Sequence, residues 1–185
     1  MKTTDNFETQ HFEFINYVNM TVEQSKEIWR ARNDFEVRKW MVNPEPFSYE
    51  SHNSFVQSLR TKEDRSYWCV LYKFNVINHV PIAYNNEGSM VASFNLNPIV
   101  EQLGVRTGEM GKFIFPEFMG KGLGKLCTKE FTQYVLRNKL VNEIMIKTLI
   151  DNKKNQHVNA SVGFKIMHQD DKYVYMSLKE FDLID

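Results

Sequence analysis

"PEFMGKGLGKLC", residues 116–127, sets glycines at 120, 122 and 124 between a strand-like run, "GEMGKFIF", and a helix-like one, "KLCTKEFTQYVLRNKL". At the start of a helix, bare backbone lets N–H groups converge on an anion that the helix dipole also favours. Lys121 and Lys125 add positive charge at the same place. A plainer use of the stretch is a tight turn, since glycine takes positive φ at little steric cost. Two other phosphate-binding turns fit less well. A dinucleotide turn wants GxGxxG on the first strand of a βαβ unit, and this turn lies at mid-chain. A Walker A loop wants Ser or Thr after its Gly-Lys pair to hold magnesium, and Leu126 follows Lys125 here. Nucleotide hydrolysis is therefore not expected, whereas an anion cradle over residues 119–125 is.

Outward from that turn, the 185 residues make one ordinary domain by length, 1–185, with no linker or repeat to divide them. Lys and Arg number 23 and so do Asp and Glu, so no global field draws nucleic acid or an anionic membrane. "MKTTDNFETQHFEF" lacks the apolar segment of a signal peptide, and no apolar run approaches the ~20 residues that cross a bilayer. A cytoplasmic location is expected. Cys69 and Cys127 stand in the apolar stretches "YWCVLY" and "GKLCTKEF", without metal-ligand spacing. They read as reduced packing residues, with a reactive Cys127 thiol as the alternative, and no metal is expected.

Periodicity supplies the remaining elements. "HFEFINYV" reads as a first strand, and Thr21 opens a capped helix over "TVEQSKEIWRARN". "DFEVRKWM" continues as a short helix or turn until the prolines of "NPEP" force extended backbone. Ser48 then caps a helix in which Phe55, Val56 and Leu59 share a face. "SYWCVLYKF" and the alternating "MVASFNLN" read as strands, separated by an extended segment closed at "NNEG", a hairpin-type turn. After the glycine turn come a helix to about Leu140, the strand "NEIMIKTLI", a short helix over 154–162, and the strands "FKIMH" and "KYVYMSL".

With these residues in place, "FIFPEFMGKGLGK" resembles the acetyl-CoA pyrophosphate loop of the GNAT superfamily of N-acetyltransferases, Gly122 and Gly124 filling its glycine places. Met119 stands where that family usually has Arg or Gln. "DNKKNQHVNASVGF" resembles the second landmark, an Asn ahead of a Gly-Phe pair, which makes Asn152 the matching residue. Where many members place the tyrosine that protonates the departing thiolate, this chain has Asn159. "RNDFEVRKWM" and "YESHNSF" are similar to motifs of the RimJ/RimL-like branch, especially the amino-sugar N-acetyltransferases of pseudaminic acid synthesis. "EMGKF" resembles that branch's E-x-G-Y strand with Lys112 in place of Tyr. The resemblance implies a single-domain α/β (α+β) fold with a mixed, mostly antiparallel sheet flanked by helices, here with an extra hairpin near residues 74–92. It implies acetyl-CoA as co-substrate, no metal, a small-molecule amine partner, and leaves a homodimer open.

The reaction sets its own demands. Acetyl transfer needs a free amine lone pair, so a base must take the ammonium proton directly or through water. Glu109, on the strand that leads into the turn, is the candidate base; an exposed strand-end carboxylate is the alternative. Phe113, Ile114 and Phe115 offer main-chain hydrogen bonds to the pantetheine arm in the manner of an added strand. Met119, Gly120, Lys121, Gly122, Leu123, Gly124 and Lys125 form the expected phosphate cradle, with Asn152 as a further coenzyme contact. On the acceptor side the family likeness places Arg32, Asn33 and His52 along the cleft, and Ser93 and Asn95 share one polar strand face. Arg32 can clamp a diphosphate or carboxylate, and Arg38 and Trp40 supply a cation and a stacking ring. Three classes of function compete: N-acetylation of a UDP-linked amino sugar, which leads; acetylation of a protein N-terminus; and a silent acyl-CoA-binding module.

Overall fold

The computed structural model describes residues 4–73, 76–77, 80–81 and 89–184. Strands β1 (Phe7–Glu8), β2 (Phe12–Asn16) and β3 (Ser66–Tyr72) precede a separate ribbon of β4 (Val76–Ile77) and β5 (Val80–Pro81). Then follow β6 (Ser89–Gln102), β7 (Val105–Ile114), β8 (Glu143–Leu149), β9 (Lys165–Gln169) and β10 (Tyr173–Lys179). The main sheet has eight strands in the order β1-β2-β3-β6-β7-β8-β10-β9. Neighbours run antiparallel except β7 and β8, which are parallel and are joined by the crossover helix α4 (Leu123–Arg137). The other helices are α1 (Val22–Asn33), α2 (Phe35–Arg38), α3 (Tyr49–Ser58) and α5 (Lys153–Ala160). This is the expected mixed, mostly antiparallel sheet flanked by helices.

Two cores hold the layers. On one face, Phe14, Trp68, Phe94, Ile144 and Met176 pack with Cys127, Phe131 and Val135 of α4. On the other, Ile28, Ala31 and Val56 of α1 and α3 cover Cys69, Leu71, Met90 and Phe115. Each large side chain so buried contributes about 1.5–3 kcal/mol. Both cysteines are free and buried, and burial raises their thiol pKa values, so they pack as neutral groups.

Local chemistry places most boundaries. Thr21 and Gln24 form a reciprocal capping box at α1, and Ser48 accepts the N–H of Ser51 at α3. Helix α4 stops at Arg137, short of Leu140, because Lys139 takes φ +55° and Leu140 bonds back to Val135, a left-handed C-terminal lock. The sequence reading passes over β1 and shortens β6. β6 continues past Leu96 through a register shift and turns at Leu103 and Gly104, φ +52° and +75°, into β7. That hairpin tip is solvated on both faces, so it carries no apolar alternation to read. In the expected extra hairpin, β4 and β5 pair Val76 with Pro81 and Ile77 with Val80; "NNEG" lies outside the described residues.

Candidate active site

The glycine turn is a left-handed piece of backbone that opens outward. Gly120 and Gly122 have φ +78° and +84°, a region side chains rarely enter. Gly122 is the N-cap of α4 and supplies no side-chain cap, and the first turn holds no acidic residue. The first N–H groups of a helix have no intrahelical acceptor, so they remain available to an anion. A Cβ on Gly120 would meet nothing within 4 Å, so the bare backbone there faces open space. Gly124 differs: its Cβ would lie an ordinary 3.5 Å from Ile114 Cγ1. Lys121 sits at the turn with its ammonium 5.5 Å from the Phe118 ring centre. Met119, Leu123 and Lys125 flank these glycines, Leu123 buried in the core beneath them.

A gap leads away from this turn. β7 and β8 pair only at Thr107–Glu143, Gly108–Ile144 and Glu109–Met145. Past Glu109, β7 stays with β6 while β8 stays with β10, so the parallel neighbours part toward the end of β7 that enters the turn. The Phe115 N–H donates to Val91 O at 2.9 Å, and Phe113 stands opposite Ser93. Strand geometry alternates backbone polar groups between the two edges. Phe113 and Phe115 therefore direct theirs to β6, and Lys112 and Ile114 direct theirs to the gap. Of the three main-chain partners expected from the sequence, Ile114 has the right orientation, and Lys112 joins it.

Side-chain parity sorts the titratable groups. Met110 and the Cβ direction of Gly108 point into the α4 core, whereas the Cβ direction of Gly111 points at the Asn95 amide. Glu109 shares Gly111's face, the one half-covered by α1 and α3, and is half-buried. Its charge is among those that raise the pKa of Tyr175, after the hydrogen bond to Asp170. Lys112 takes the opposite face. Its ammonium donates to Thr128 Oγ1 of α4 and to Asn159 Oδ1 of α5, each at 2.7 Å. Burial lowers its pKa to about 7, against a smaller opposing effect of Cys127. The sequence names Lys112 only as a departure from a family pattern. The signal that finds it is its position between Met110 and Ile114 on the core-facing side of an apolar strand.

The acceptor-side residues have a different fate. Asn33 donates to Phe47 O at 2.8 Å and accepts the Phe47 N–H at 3.0 Å, stapling the proline loop to α1. His52 is buried with Nε2 3.2 Å from Ser25 Oγ, and burial lowers its pKa, so it packs as a neutral ring. Ser93 is buried and shares a 2.7 Å hydrogen bond with the Tyr17 hydroxyl. Arg32 donates from Nη2 to Asn43 O at 3.0 Å, while its Nη1 is buried without a partner among the described residues and burial lowers its pKa. Asn95 lies over Gly111, beside Glu109. Asn152 accepts the Asn155 N–H at 3.1 Å as the N-cap of α5. Among the described residues no group of three His, Cys, Asp or Glu gathers as for a metal, and no helix is long and apolar enough to cross a membrane.

The family described as an acetyltransferase (GNAT) domain matches residues 17–165. The fold is similar to that of the N-acetyltransferase PseH of Campylobacter jejuni, solved with acetyl coenzyme A, at TM-score 0.66 and 16% identity, over 91% of this chain and 99% of that one. It is similar to spermidine N-acetyltransferase from Vibrio cholerae, solved with CoA and spermine, at 0.75 and 13%, over 94% and 98%. It is similar also to apo FdhC, a nucleotide-linked sugar GNAT, at 0.73 and 11%, over 97% and 92%. No curated protein matches in sequence. The chain belongs to the acetyltransferase (GNAT) family and is an acetyl-CoA-dependent N-acetyltransferase.

Proposed function

We propose that this member of the family acetylates the amino group of a nucleotide-linked sugar. The observation that carries the reading is the gap between β7 and β8, with the bare N-terminus of α4 at one end and Glu109 at the other. Residues 119–125 would hold the coenzyme's phosphates, and the backbone of Lys112 and Ile114 would hydrogen-bond its arm. Acetyl-CoA supplies, when bound, a thioester carbonyl that needs little further activation. Glu109 accepts the proton that the amine sheds, directly or through water, and holding amine and carbonyl together supplies much of the rate.

The sugar reading draws on the α1–α2 side. Arg32 keeps one buried guanidinium nitrogen without a partner among the described residues, Arg38 of α2 donates to Pro44 O next to the Asn43 carbonyl that Arg32 meets, and Trp40 is exposed. Such a set suits a diphosphate and a stacked base. FdhC, a nucleotide-linked sugar GNAT of similar fold, supports the same direction. The same reading takes the protein as cytoplasmic, and light scattering would tell a homodimer from a monomer.

The test is acetyl transfer from acetyl-CoA to a UDP-linked 4-amino sugar, spermidine and a peptide with an N-terminal serine, run beside Gly122→Val. The expected outcome is turnover with the sugar nucleotide, and at least a tenfold rise in the acetyl-CoA dissociation constant of the variant, about 1.4 kcal/mol. A folded Gly122→Val protein with normal coenzyme affinity removes the cradle. Transfer to the peptide alone moves the acceptor to protein N-termini.

A further inference from the structure

Asn159 holds an unusual position for a buried amide. Its side chain is fully buried, its Oδ1 accepts from Lys112, and its Nδ2 has no partner among the described residues. Rotating the amide by half a turn does not repair this, because the ammonium needs an acceptor and the oxygen is the only one the amide has. An unsatisfied buried donor is costly, and its persistence calls for an acceptor that the described residues do not supply. Lys112 adds to the demand. An ammonium has three N–H groups, and Thr128 and Asn159 take two. Thr128 gives its own hydroxyl hydrogen to Gly124 O at 2.6 Å, which fixes it as an acceptor toward Lys112. The third N–H of Lys112 and the Nδ2 of Asn159 thus make a two-donor site where β7 has left β8, on the face of β7 opposite Glu109.

We infer that Lys112 and Asn159 receive the departing thiolate of the coenzyme, with Lys112 delivering its proton. The inference rests on the acetyl-transfer reading above. The amine nitrogen bonds to the acyl carbon, the carbon–sulfur bond breaks, and sulfur keeps that electron pair and takes a proton from Lys112 Nζ. Lys112 is left as a neutral amine and regains a proton from water, while the proton shed by the amine passes to Glu109; amine and thioester become amide and thiol. The proton that leaves is the one not engaged by Thr128 or Asn159, so both of those hydrogen bonds survive the transfer. Acid and base act from opposite faces of one strand, which separates the proton's entry from its exit.

The environment suits the role. Burial brings Lys112 to about pKa 7, close to a working pH, and a general acid is most effective there. The titratable neighbour on α4 is Cys127, whose buried thiol stays neutral, with Glu130 one turn on and engaged by His11. From α5 the neighbour is Asn159 and across β6 it is Phe94, neither of which titrates.

The deciding measurement compares coenzyme A with desulfo-coenzyme A by calorimetry on the wild-type protein. The expected result is at least tenfold tighter binding of coenzyme A, a preference that falls to near unity in Lys112→Met and shrinks in Asn159→Leu. Ultraviolet absorbance of the thiolate should appear for bound coenzyme A at a lower pH than for free coenzyme A, and only with Lys112 present. Turnover of Lys112→Met should fall at least 10²-fold with the KM for acetyl-CoA nearly unchanged. Equal wild-type affinity for the two ligands overturns the donor site while leaving the coenzyme reading intact. Failure to bind either overturns both. If Lys112→Met does not fold, Lys112→Gln serves in its place, and the wild-type comparison decides by itself.

Discussion

Around the 119–125 turn and the β7–β8 gap, several polar groups have no partner among the described residues, whereas between α1, α3 and residues 43–47 they are engaged with one another. Among the described residues, α4 has no side-chain cap at Gly122, Asn159 Nδ2 has no acceptor, and the backbone of Ile114 faces away from its strand neighbour β6. Across the sheet, Asn33 is locked to Phe47, His52 to Ser25, and Ser93 to Tyr17. Unsatisfied groups mark where a ligand completes the structure, and satisfied ones mark where the chain has completed itself. The contrast supports the proposed chemistry in the first region and a scaffolding role for most of the second, with Arg32 as the exception.

Removing the base puts the largest strain on this contrast. Glu109→Gln keeps shape and removes the basic lone pair, so turnover at neutral pH should fall on the order of 10²–10⁴-fold while acetyl-CoA binds as before. Part of the activity should return at higher pH, where free amine is abundant. Full turnover across that range would reduce Glu109 to a strand residue and leave the open face of β7 without a chemical role.

On the other side, Asn33→Ala should cost stability rather than chemistry. Two hydrogen bonds to Phe47 are lost together, and at about 1 kcal/mol each the unfolding free energy should drop by about 2 kcal/mol in a urea titration. A variant of unchanged stability whose acceptor KM rises steeply would show that this asparagine touches substrate, and would dissolve the scaffold half of the comparison.

These two residues also show what the sequence makes legible. The glycine turn can be read because a conformational demand, positive φ before a helix, has few residue solutions, and Gly120 and Gly122 meet it. The sheet and its helices follow from caps and alternation, as Thr21 and Ser48 illustrate. Asn33 and His52 were expected on a substrate cleft, and a polar residue on a helix gives no sign of whether its partner is a ligand or a loop at some distance along the chain. Lys112 is the converse. Its partners Thr128 and Asn159 come from two later helices, so the cluster exists only once α4 and α5 pack on the sheet.

Burying the Lys112 ammonium should leave a signature in stability against pH. Its folded pKa, about 7, lies below the unfolded 10.5, so between those values the unfolded chain binds more protons. Stability then rises with pH, and the cost of burying the charge is fully present below pH 7 and relieved as pH climbs. From pH 7 to 8.5 the wild type should gain about 1.5 kcal/mol relative to Lys112→Met, in which that component is missing. Taking the difference between the two proteins cancels Cys69 and Cys127, whose raised folded pKa values act in the opposite sense at higher pH. Parallel curves for the two proteins would mean that the ammonium is better solvated than its burial implies, and the gap would lose its charged floor.

The smallest expected effect falls on the boundary between the two regions, at Asn152. The residue stands beside the proposed coenzyme half, yet its carboxamide oxygen already accepts the Asn155 N–H and so caps α5. An Asn cap replaced by Ala costs about 1 kcal/mol, and α5 has only eight residues over which to absorb the loss. Asn155 itself donates to Thr148 on β8, so a frayed first turn would loosen the contact of α5 with the sheet. Asn159 lies at the far end of that helix and should keep its bond to Lys112. Asn152→Ala should therefore lose about 1 kcal/mol of stability while its acetyl-CoA affinity, read by calorimetry, changes less than about twofold, well under the tenfold step of 1.4 kcal/mol. A tenfold loss of affinity at unchanged stability would place Asn152 among the groups that await a ligand, and would move the border between the two regions to the other side of α5.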